Sequence, residues 1–353
     1  MRKVLQPGLL AMLVLALAAL PALASDWRPY GRSTVERSSG NQVQQGQVGQ
    51  GQAPQSDQSD RSGGVVADQG RSGDGWPGDR SGMGYKAERD SGAGGLRVVG
   101  LTDDRRLVTF RSGSTSRVTT IGRIFGLKGD RVLVGIDYRV QNGKLYGVGD
   151  RGGIYTISTR TASAVKVSQL TVALDGRSFG VDFNPAANRL RVVSDTGQNL
   201  RHNIDDPAGL PAAGTTAMDG TLTYPPATTA ATGVTGAAYT NNDLDPNTAT
   251  TLFDLDTNLD QTAVQSPANA GSLAPTGKLL VDSDSGAGFD IYSGLRAGTA
   301  ASATGLATLK VNGHYSLYQI ALLTGGARFA GTFPARHQVV DLAVPLNQGF
   351  DQG

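Results

Sequence analysis

Between residues 133 and 157 the apolar positions fall into three short runs: LVGIDY at 133–138, KLYGV at 144–148 and IYTI at 154–157. β-Branched and aromatic side chains dominate, and each run is too short for a helix, so the pattern predicts three successive strands. The joints, QNG at 141–143 and DRGG at 150–153, are made of residues that tolerate tight turns and positive φ.

This unit recurs. GIDY at 135–138 returns as GVDF at 180–183, and LYGV at 145–148 returns as LRVV at 190–193, both 45 positions on. Moving back 47 positions, RVVGLTD at 97–103 lies on KLYGVGD at 144–150 without a gap, and LVTF at 107–110 lies on IYTI in the same register. Weaker copies of the first strand stand at 236–239 (GAAY), 288–291 (GFDI) and 339–342 (VVDL). A repeat of this length with four short strands predicts a radial array of sheets, a β-propeller.

The N-terminal copy lacks its first strand, and the C-terminal copy is a first strand with nothing after it. Together they make one blade, and lacing the last strand into the first sheet closes the ring without exposed edges. Starts near residues 133, 179, 234, 286 and 338 predict five blades. Six stays open, because 206–232 is long and poorly patterned. The expected organisation is a signal peptide at 1–24, a disordered low-complexity linker at 25–95, an all-β propeller at 96–346 and a frayed polar tail at 347–353.

The leading segment supports that division. Arg2 and Lys3 precede an unbroken apolar run of 12 residues, 9–20, and PALA at 21–24 has the small-x-small pattern of a cleavage site. This reads as an export signal, too short to span a bilayer, leaving a mature chain without a transmembrane segment. Removing it takes two cations and no acids, so the net charge falls from +2 to about 0. With no Lys/Arg stripe, nucleic acid is not an expected partner. The chain has no cysteine, so disulfides and zinc–thiolate sites are excluded. Residues 25–95 carry 16 glycines and few apolar residues, too few to offset the entropy of ordering.

At GVDFNP (180–185), NRLR (188–191), SDTGQNLR (194–201), GAAYTNN (236–242) and LFDLD (252–256) the chain resembles the bacterial secreted domain family DUF4394. The resemblance spans roughly 97–346. It implies an exported, propeller-like domain and carries no established activity or catalytic residues. The chain departs from the family pattern at IDDP (204–207), where a Thr-Gly turn is expected; this reads as a minor loop difference.

The candidate chemistry is acidic. Asp137, Asp182, Asp290 and Asp341 occupy one matched position of the first strands, and Ala238 takes that place in the fourth blade. First strands line a propeller's channel, so these carboxylates are a candidate ring that would hold a hard cation such as Ca²⁺. The plainer reading is that each caps a turn or accepts a neighbouring blade's backbone N–H. Asn199 and Arg201 are a weaker pair, placed to face a ligand across a blade mouth. Asp254, Asp256 and Asn258 have the alternation of a calcium loop without its glycine or closing Glu, and read as a surface hairpin. His202, His314 and His337 are scattered and offer no zinc pattern.

The expected function is therefore a non-catalytic, monomeric binding module outside the cell, with a glycan or protein ligand. The alternatives are a glycan-acting hydrolase using channel carboxylates, and a structural matrix component.

Overall fold

The structure, a computed structural model, describes residues 95–245 and 247–348. The export signal and, apart from Gly95, the linker lie outside these residues. The described chain forms five four-stranded antiparallel sheets. Blade 1 begins with β1 (Arg97–Thr102), β2 (Arg106–Arg111) and β3 (Ser114–Arg123). Blade 2 holds β4 (Leu133–Arg139), β5 (Lys144–Gly149), β6 (Gly153–Ile157) and β7 (Ala164–Gln169). Blade 3 holds β8 (Phe179–Asn184), β9 (Arg189–Ser194), β10 (Asn199–His202) and β11 (Thr216–Met218). Blade 4 holds β12 (Val234–Tyr239), β13 (Leu252–Asp256), β14 (Gln261–Gln265) and β15 (Leu273–Lys278). Blade 5 holds β16 (Ala287–Arg296), β17 (Thr299–Val311), β18 (His314–Ile320) and β19 (Ala327–Thr332). The last strand, β20 (Val339–Ala343), completes blade 1.

The ring closes as the repeat demands. β20 pairs antiparallel with β1, Val99 opposite Ala343 and Leu101 opposite Asp341. There are five blades, not six. The long segment 206–232 supplies one short strand, β11. Further on, Thr223 forms a parallel bridge to Ser272 of blade 4. The tail is anchored as far as Gln348: its side chain accepts the Arg97 N–H at 2.6 Å and donates to the Arg97 carbonyl at 2.8 Å.

Five apolar layers fill the five joints between blades. Ile136 and Tyr138 pack with Val99, Leu101 and Ala343 between blades 1 and 2. Val181, Phe183 and Leu190 pack with Tyr146 between blades 2 and 3. Phe253 and Phe289 share the layer between blades 4 and 5, and Leu342 packs with Tyr292 and Leu317 between blades 5 and 1. The joint between blades 3 and 4 is leaner, built from Val193, Leu252 and several alanines.

The repeated glycine of the inner strands has a steric cause. At Gly180 a methyl would lie 2.5 Å from the Ala237 backbone nitrogen of the next blade. Gly135, Gly236 and Gly288 meet Val181, Phe289 and Asp341 in the same way. Inner strands converge on the axis, so only glycine lets neighbouring blades approach. Among the described residues no helix is long and apolar enough to cross a membrane.

Candidate functional site

The four matched aspartates all lie on inner strands; Asp137, Asp182 and Asp290 are 4–7 % exposed and Asp341 is partly covered. Each reaches across a joint to the backbone of the following blade. Asp137 Oδ2 accepts the Phe183 N–H at 2.8 Å, and Asp182 accepts that of Tyr239. Asp290 Oδ2 accepts the Val344 N–H at 2.6 Å, and Asp341 Oδ2 accepts the Ile136 N–H at 2.7 Å. The carboxylates thus fasten blade to blade, as the plainer reading anticipates. At Ala238 the fastener is absent. There the link is made from the other side: Ser293 Oγ of blade 5 accepts the Asn241 N–H at 2.8 Å.

Three of the four also meet on the axis. One carboxylate oxygen each from Asp137, Asp182 and Asp290 lies within 4.8 Å of the other two. They border a cavity of about 20 Å³ at the end of the channel where β4, β8 and β12 finish. Asp341 is not part of this group; its carboxylate lies beside Gly135 and Gly288. The cavity is also bordered by Tyr138, Tyr239, Tyr292 and the chain after β20, at Val344 and Leu346, and no Lys, Arg or His faces it.

This environment resists charge. Burial pushes the carboxyls of Asp137 and Asp182 well above their usual range, helped for Asp137 by the charge of Asp290 and for Asp182 by that of Asp137. Burial raises Asp290 to about 6 and Asp341 well above normal. Backbone N–H donors oppose the rise at each of the four. Desolvation outweighs these donors at all four, and no basic side chain borders the cavity to offset it.

A residue that pattern reading missed belongs to the same cavity. Asn242 is 5 % exposed and borders the space, and neither its Oδ1 nor its Nδ2 has a hydrogen-bond partner. It stands in a run of asparagines and acids, NNDLD at 241–245, that carries no repeat pattern. Its one signal was position, four residues beyond Ala238, where the fourth blade's inner strand leaves the axis.

The weaker pair serves the fold. Asn199 is 1 % exposed; its Oδ1 accepts from Arg191 at 2.7 Å, and its Nδ2 donates to the carbonyls of Gly220 at 3.0 Å and Ala268 at 3.1 Å. Arg201 forks onto Asp219. Both surround Arg191, whose guanidinium also meets Asp219 at 2.7 Å, Asn269 at 2.7 Å and the Tyr239 hydroxyl at 3.3 Å. This buried polar layer thickens the lean joint between blades 3 and 4.

Two expectations need correction. Asp254 and Asp256 do not sit on a surface hairpin: both are fully buried on β13. Asp256 accepts the Tyr224 hydroxyl at 2.8 Å, while Asp254 has no partner on either oxygen and burial raises its carboxyl well above normal. The departure at 204–207 is also more than a loop detail. Asp205 forks onto the buried Arg139, and Asp206 accepts from the buried Arg189 at 3.0 Å. Arg139 belongs to blade 2, so this loop ties two blades. The histidines stay apart. His202 is buried between the hydroxyls of Ser168 at 2.8 Å and Thr216 at 2.9 Å.

A family model described as "Domain of unknown function (DUF4394)" matches residues 106–343. The chain belongs to that family. No curated protein matches it in sequence. Among solved structures, it is similar to a protein of unknown function from Bacteroides thetaiotaomicron, at 13 % identity and a TM-score of 0.37, over 72 % of this chain and 66 % of the other. An auxiliary nutrient binding protein from Bacteroides ovatus is 12 % identical with a TM-score of 0.32, over 63 % of this chain. The match spans about half of that protein's length, 55 %. The major allergen Mala s 1 of Malassezia sympodialis is 10 % identical with a TM-score of 0.35, over 66 % of this chain and 74 % of the other.

Proposed function

We propose that this DUF4394 member is an exported, non-catalytic binding module whose ligand engages the axial mouth beside Asp137, Asp182 and Asp290. The observation that carries this is Asn242. A buried amide with no partner costs stability. A binding site accounts for its place at the cavity, because an incoming group would satisfy it. The reading of residues 1–24 as an export signal supports a glycan or protein ligand outside the cell.

A glycan-acting hydrolase fits less well. Carboxylate spacing alone does not dismiss it, since retaining pairs stand about 5 Å apart. The room does. A cavity of about 20 Å³ admits a water-sized occupant and no sugar ring between the acids. A glycan or peptide would rest over the mouth, not enter it.

A panel of oligosaccharides and peptides, screened by thermal shift against the wild type and Asn242→Ala, tests this. The expected result is a panel member that stabilises the wild type and not the variant. Hydrolysis of any member, lost in Asp182→Asn, would overturn the reading. So would binding that ignores the mouth variant.

A further inference from the structure

We propose that the axial mouth is a site for a hard divalent cation of calcium's class, held by Asp137, Asp182, Asp290 and the side-chain oxygen of Asn242. The inference deepens the binding-module reading and rests on it for the choice of the mouth as the working site.

The spacing suits such an ion. Oxygens that share one Ca²⁺ at 2.3–2.6 Å lie at most about 5 Å apart. The three carboxylates each offer an oxygen within 4.8 Å of the others. Magnesium holds its ligands at about 2.0–2.1 Å in a strict octahedron, which would draw the acids further inward. The donors are all oxygens, with no histidine or cysteine, which selects a hard cation over zinc or copper.

The charge balance points the same way. Three acids face one buried space that no basic side chain borders. Ionised together they repel at short range in a medium that solvates them poorly. A divalent ion would neutralise most of that charge and let the carboxylates stay ionised at neutral pH.

Asn242 is the independent observation. Its oxygen lacks a partner and carries no charge of its own, and the residue lines the same cavity as the carboxylates. It also supplies what the repeat omits. Blades 2, 3 and 5 contribute an aspartate, blade 4 has Ala238, and Asn242 follows the blade 4 strand. The cation would therefore join four blades across the axis. Asp341 stays outside the set, because the oxygens that converge within 4.8 Å come from Asp137, Asp182 and Asp290, and its own carboxylate lies against Gly135 and Gly288.

The test uses the exported chain dialysed against EDTA and titrated with calcium chloride, with potassium chloride at matched ionic strength as control. At ~100-fold excess over Kd, the melting temperature of the wild type should rise by about 5–10 °C. Calorimetry should give one ion per chain. Asn242→Ala removes no hydrogen bond and should fold, yet its calcium response should fall at least about tenfold in affinity. Asp182→Asn should lose the response, and Asp341→Asn should keep it. No shift in the wild type, or a shift that survives in both Asn242→Ala and Asp182→Asn, overturns the cation site. Should calcium fail while a glycan or peptide still depends on Asn242, the cation falls alone. Should that ligand ignore Asn242, the binding-module reading falls whatever calcium does.

Discussion

The Asp341 carboxylate accepts the backbone N–H of Ile136 at 2.7 Å, across 205 residues of chain. It joins the last strand not to its own sheet but to the inner strand of the next blade. Closure therefore uses two different bonds: ladder pairing of β20 with β1, and a side-chain fastener from β20 to β4.

This fastener predicts a contrast between two variants. Asp341→Ala orphans the buried Ile136 N–H and should cost about 1–3 kcal/mol. Asp341→Asn keeps an accepting oxygen and removes a carboxyl whose ionisation the site opposes, so it should stay within about 1 kcal/mol of the wild type. Urea unfolding of both measures this. An Asp341→Ala protein as stable as the wild type would show that the bond contributes nothing.

Inner-strand glycine predicts a large effect from one methyl. Gly180→Ala sets that methyl against backbone atoms of blade 4, which cannot rotate away. The expected loss is at least about 2–3 kcal/mol. Gly326→Ala meets nothing within 4 Å and should be neutral to about 0.5 kcal/mol. Equal stabilities for the two variants would refute the close approach of neighbouring blades.

Arg191 predicts that the joint between blades 3 and 4 is polar by need. Arg191→Met leaves Asp219, Asn199 and Asn269 short of a donor in a buried layer. A loss of about 3–5 kcal/mol is expected, larger than its volume change explains. Denaturant unfolding should show the fall. A variant that keeps wild-type stability would mean that water replaces the guanidinium without cost.

His202 predicts a dependence on pH. Burial between two hydroxyls lowers its imidazole from 6.5 to about 4. The unfolded chain takes up a proton below about 6.5 that the folded chain refuses until about 4. This contribution to stability is thus full above 6.5 and is lost as pH falls toward 4, on the order of 3 kcal/mol in all. The channel carboxyls act with the opposite sign, because their raised values favour the folded state in acid. Comparing wild type with His202→Gln isolates the histidine: the stability gap should narrow by about 2–3 kcal/mol between pH 7.5 and 4.5. A constant gap would mean that the ring titrates normally.

Much of the architecture was legible from spacing. The copies of GIDY mark the inner strands, and the incomplete first and last copies foretell closure through β20. The glycine at 135, 180, 236 and 288 marked the strands without revealing its purpose, because its partner lies 46–57 residues away on the next blade. Residues 206–232 misled, since beyond the three residues of β11 their order comes from irregular hydrogen bonds and one bridge, which leave no periodic trace.

The candidate site divides in the same way. Residue order alone established that four acids occupy one repeated place and that the fourth blade lacks its acid, because a repeat in sequence maps onto a repeat in space. Only the folded ring decided that three of them share a cavity, that Asp341 stands apart, and that Asn242 joins the group. Distances across the axis depend on how five sheets twist and pack at once, and no local run of residues encodes that convergence.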